Sequence, residues 1–99
     1  MSLDEKLDRV VERHTQLSDL LASTDGSDPQ EYVRLSKEYS ELGQVVEKVL
    51  ALRGANEEIT GLEEIIADGE ADAEMKELAQ LEIEELRARV PELEQSLKL

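Results

Sequence analysis

Pro29-Gln30-Glu31-Tyr32-Val33-Arg34-Leu35-Ser36-Lys37-Glu38-Tyr39-Ser40-Glu41-Leu42-Gly43-Gln44-Val45-Val46-Glu47-Lys48-Val49 decides the fold. Tyr32, Leu35, Tyr39, Leu42, Val46 and Val49 recur at alternating three- and four-residue steps, which lines them up on one stripe of an α-helix. The same rhythm precedes it in Leu3, Leu7, Val10, His14, Leu17 and Leu21. It follows again in Ala79, Ile83, Leu86, Val90, Leu93 and Leu97. Three seams that must each be covered predict an all-α chain in which helices pack on helices.

The punctuation sets the boundaries. Ser2 and Glu5 have capping-box spacing, so a first helix is expected from about Leu3 to about Ser23, stopped by Thr24-Asp25-Gly26-Ser27. Asp28-Pro29-Gln30-Glu31 restarts helix, with Asp28 as cap, Pro29 where a missing amide costs nothing, and Glu31 closing the box. The stripe then runs on through Leu52, Ile59, Leu62 and Ile66 with one phase slip near Gly54 and Ala55. A single long bent middle helix over about 29–67 is expected, the alternative being a split at Gly54 with Asn56 as a new cap. Asp68-Gly69 makes the second turn, and Asp72 caps a third helix over about 72–97, bent near Arg87 to Val90 by Pro91. The expected fold is one helical domain over residues 1–99, an elongated antiparallel three-helix bundle.

Bulk properties exclude whole classes of function. The net charge of −14 repels phosphates, and with no Trp or Phe and only two Tyr there is no platform for stacking bases, so direct nucleic-acid binding is not expected. Zero cysteines remove disulfides, thiolate metal sites and thiol nucleophiles together. No apolar run reaches the ~18 residues of a membrane span, and no signal peptide is visible, which favours a cytoplasmic protein. Met1-Ser2-Leu3 is compatible with a start added to the natural sequence.

Catalytic material is scarce. His14, the one histidine, sits on a seam and reads as a packing residue. No inward Glu-x-x-His pairs, glycine-rich phosphate loop or serine elbow occurs, so no metal, cofactor or enzyme activity is expected. Tyr32 and Tyr39 read as core residues with hydroxyls at the seam edge. What remains is surface. Arg34, Lys37 and Lys48 lie off the stripe and offer either salt-bridged decoration or a basic track for a partner. Glu57, Glu58, Glu63, Glu64, Asp68, Glu70, Asp72 and Glu74 crowd the far turn with no Lys or Arg among them. Their repulsion would loosen that tip; alternatively, they form an acidic knob for a basic protein surface.

Tyr32-Val33-Arg34-Leu35-Ser36-Lys37-Glu38-Tyr39-Ser40-Glu41-Leu42 resembles the Y-x-x-L-x-K-E-Y-x-E-L block of the bacterial class I peptide chain release factors. Asp72-Ala73-Glu74-Met75-Lys76-Glu77-Leu78-Ala79 resembles their D-x-E-M-x-E-L-A block, followed by Val90-Pro91-Glu92-Leu93-Glu94. Leu7 to Leu21, with Glu12-Arg13-His14, also fits. The resemblance covers nearly the whole chain and implies the family's N-terminal helical domain, a piece of a longer factor that releases nascent peptide at UAA and UAG. It implies docking to the stalk base and GTPase-associated region of the large ribosomal subunit, and a link to the recycling GTPase. No codon-reading tripeptide and no Gly-Gly-Gln is present, since Gly43-Gln44 follows Leu42. Partner contacts are therefore expected from Glu63, Glu64, Glu70 and Asp72 at the tip, with Arg34 and Lys37 as positioning contacts. As such a domain the chain would be a monomer or weak dimer. The rival reading is a self-associating coiled-coil scaffold segment, its seams completed between chains; a third is an acidic mimic of nucleic acid.

Overall fold

The computed structural model describes residues 2–97. Met1, Lys98 and Leu99 lie outside the described residues, and with Met1 the reading of an added start. The described residues form three helices in chain order, α1 (Leu3–Ser23), α2 (Pro29–Ala67) and α3 (Ala73–Ser96), and no strand. The chain divides into two compact units, Met1–Val49 and Leu50–Leu99, which share α2 between them.

Each helix begins where an oxygen-bearing side chain can take up an amide that the helix itself leaves without an acceptor. The Glu5 amide donates to Ser2 Oγ at 3.1 Å, the Glu31 amide to Asp28 Oδ1 at 3.1 Å, and the Met75 amide to Asp72 Oδ1 at 2.8 Å. Between α1 and α2 the backbone reverses through Gly26, whose φ of 79° is the one positive value among the described residues and suits a residue without Cβ. The Ser27 amide donates to Asp25 Oδ1 at 2.8 Å. Hydrogen bonds from the Ser27 side chain and amide hold the Asp25 carboxyl below the usual carboxylate range.

In the first unit α1 packs antiparallel on the first part of α2. Leu7, Leu17, Leu35, Val46 and Val49 are buried. The His14 and Tyr39 rings stack at 4.4 Å with 11° between their planes. Gly43, one turn beyond Tyr39, lies under the same imidazole, and a Cβ there would sit 3.6 Å from Nε2. His14 is thus a seam residue held between two positions of α2. Tyr32 departs from expectation. Although it belongs to the stripe it is 46% exposed, because it lies at the open end of the pair beside the Thr24–Asp28 connection, near Leu21, Pro29 and Val33.

In the second unit α3 returns along the later part of α2, with Leu52, Ala55, Ala79, Ile83 and Leu97 buried. α2 is one long helix through Gly54, as expected, and the alternative split there does not occur. α3 likewise continues through Pro91, which removes the amide that would have bonded the Arg87 carbonyl.

Candidate functional site

The basic track lies on the first unit. Arg13 of α1 clamps Glu38 of α2 with both its Nε and Nη2, the shortest contact being 2.8 Å. Beside this pair Arg34, Leu35, Lys37 and Glu41 complete a shallow open groove of about 450 Å³. Arg34 approaches Glu31 only to 3.9 Å, and both side chains are largely exposed. An exposed pair at that distance contributes little, which leaves the guanidinium free to swing to another anion. The structure therefore brings Arg34 and Lys37 together but balances them with Glu38 and Glu41, so the groove has mixed charge. Periodicity alone does not pair Arg13 with Glu38. The signal for the pair is an Arg one residue before the seam position His14, matched by a Glu one residue before the seam position Tyr39.

The acidic turn lies on the second unit, and its carboxylates are not equivalent. Asp72 is the cap of α3. Asp68 takes the Glu70 amide at 2.9 Å, and its own backbone carbonyl takes the Ala71 amide, so the connection is tied by its own acidic residues. Glu63 reaches across to Arg87 of α3, with Nη2 to Oε1 at 3.2 Å and both side chains more than half exposed. Glu64 and Glu70 are exposed. Of the four acidic residues expected at this tip, two already have structural work and two present open carboxylates.

Separating those roles gives a measurable result. Asp72→Asn keeps an oxygen for the Met75 amide and is expected to leave stability within about 0.5 kcal/mol, whereas Asp72→Ala is expected to cost about 1 kcal/mol. Urea titration of the two variants checks this.

Among the described residues no group of three His, Cys, Asp or Glu side chains converges to hold a metal ion. No buried side-chain nitrogen or oxygen there lacks a hydrogen bond, and no helix is long and apolar enough to cross a membrane. The grooves lined by charged side chains are open ones on the helix pairs. Fold and surface together define a class: an acidic all-helical domain with its charged side chains on open helix faces.

Within that class the chain belongs to the PCRF domain family, whose pattern matches residues 10–99. Across all 99 residues it is 38% identical to peptide chain release factor 1 of Gluconacetobacter diazotrophicus, covering 26% of that protein. It is 35% identical to peptide chain release factor 1 of Gluconobacter oxydans and 38% to that of Rhodospirillum rubrum, covering 27% of each. The chain thus spans about a quarter of the length of these curated relatives. No solved structure matches it significantly.

Proposed function

We propose that this chain is an accessory helical domain, N-terminal in its parent, of a cytoplasmic translation termination factor that reads UAA and UAG and triggers hydrolysis of peptidyl-tRNA. The observation that carries the reading is the match of the entire chain to release factor 1 relatives. Decoding and hydrolysis belong to other parts of such a factor, since this sequence carries no Gly-Gly-Gln. The domain's contribution is docking. Its partner is basic protein at the stalk base of the large ribosomal subunit, approached through Glu64 and Glu70, with Glu63 and Asp72 shaping the turn. Arg34 and Lys37 are secondary positioning contacts, and the recycling release-factor GTPase is a second candidate partner. Repulsion by a chain of net charge −14 keeps bare RNA from being the main contact.

The test reverses charge only where the structure leaves it open. In the full factor, Glu64→Lys with Glu70→Lys is expected to weaken ribosome association about tenfold at physiological salt, with stop-codon choice unchanged. Stopped-flow binding and a codon-resolved release assay read the two properties separately. Unaltered association kinetics would remove the acidic turn as a docking element.

A further inference from the structure

The seam of α3 is buried at Ala79 and Ile83, yet the same helix carries a second apolar group that nothing covers. Met75 is 50% exposed, Leu78 58% and Leu81 55%. On a helix, Met75, Leu78, Glu82, Glu85 and Arg89 follow one another at three- and four-residue steps, a stripe about a quarter turn away from the buried seam, with Leu81 at its edge. The stripe starts apolar, turns acidic at Glu82 and Glu85, and ends on the cation Arg89. Where it turns acidic it meets α2: Glu58, Glu82, Glu85, Leu86 and Arg89 line an open groove of about 400 Å³ within the second unit. The apolar residues are bordered by Glu74 and Glu77 as well, and between Ala73 and Leu86 the single cation, Lys76, projects to the other side of the helix.

We propose that this flank of α3 is a docking face for an amphipathic, cationic helix of a partner protein. The apolar ridge of the partner would lie on Met75, Leu78 and Leu81, and its Lys or Arg side chains would lie over Glu82, Glu85 and Glu58. Charge selects this occupant. A second copy of the chain would bring the same carboxylates against themselves, on top of a net charge of −14 each, and an anionic lipid surface would be repelled for the same reason. A helix fits better than an extended strand because the exposed side chains follow helical spacing and every described element here is helical, with no sheet edge to extend. The face is separate from Glu64 and Glu70, and the proposal stands without the termination reading.

The test uses the 99-residue chain and a synthetic, fluorescently labelled amphipathic helix with leucines at three-then-four spacing flanked by lysines. A second peptide carries glutamates in place of the lysines. The lysine peptide is expected to bind saturably, with amide NMR shifts concentrated between Met75 and Arg89. Leu78→Ser is expected to weaken binding about tenfold, as for a central interface residue, and Glu82→Lys with Glu85→Lys to weaken it similarly and flatten its salt dependence. Leu20→Ser and Val33→Ser, exposed apolar residues of the other unit, are expected to leave it unchanged. All these positions are exposed, so far-ultraviolet ellipticity should stay at the starting value. Equal affinity for the glutamate peptide, indifference to Leu78→Ser, or no saturable binding would overturn the proposal. So would a dimer in sedimentation equilibrium that disappears with Leu78→Ser, because the face would then belong to a second copy.

Discussion

Leu17→Ala is expected to remove about 3 kcal/mol from the stability of this chain, and Ile83→Ala about the same. Leu17 is 0% exposed and Ile83 1%, and each is a fully buried position of the seam through which its helix meets α2. Truncation deletes buried methyl groups and leaves a void that two helices cannot fill without sliding past one another, so the transfer and cavity costs add. For a domain of this size the whole stability is about 5–15 kcal/mol, so either change takes about a fifth or more of it. Together they also ask whether the two units unfold as one. Tyr32 and Tyr39 both lie in the first unit, so near-ultraviolet tyrosine signals report that unit alone, whereas ellipticity at 222 nm reports all three helices. Because α2 runs through both units, Ile83→Ala is expected to move the tyrosine transition along with the helical one. A tyrosine transition that stays fixed while the helical signal splits in two would show that the shared helix does not couple them.

The amino-acid sequence makes the helices legible because it marks them twice, by seam period and by cap. Ser2, Asp28 and Asp72 each accept the amide expected of them, which is local chemistry acting over three residues. His14 reads correctly as a packing residue for a related reason: it has no second histidine or cysteine to work with, and the seam supplies Tyr39 instead. What sequence leaves hidden is pairing across helices. Whether Glu63 is a free carboxylate or the partner of Arg87 depends on how α3 lies along α2, which periodicity does not fix. The same holds for Arg13 with Glu38. Tyr32 misleads because a stripe does not show where its cover ends. The face of Met75, Leu78 and Leu81 is masked for the opposite reason, since the stronger seam at Ala79, Ile83 and Leu86 dominates the periodicity of the same helix.

At Gly54 two substitutions are expected to act with opposite sign. Gly54→Ala should stabilise the chain by about 1 kcal/mol, and Gly54→Pro should destabilise it by about 3 kcal/mol or more. The reasoning rests on the continuity of α2 from Pro29 to Ala67. Gly54 does not have the positive φ that marks a helix-ending glycine, and apart from its chain neighbours and the nearby backbone of its own helix nothing lies within 4 Å of where its Cβ would be. An added methyl group therefore meets nothing while narrowing the freedom of the unfolded chain, which favours the folded state. Proline at the same place removes the amide that bonds the Leu50 carbonyl and pushes its ring against that oxygen. Had the helix ended here in a left-handed glycine, alanine would be the harmful change. A break would also let proline be accepted at the start of the next helix. Urea titration orders the variants directly, and in a domain of about this length each 1 kcal/mol appears as roughly 4–8 °C in melting temperature. Loss of stability in Gly54→Ala would mean that α2 is two helices. Gly61→Ala, in the same helix and equally open, serves as the internal standard: the same gain at both positions is the signature of one uninterrupted helix carrying both units.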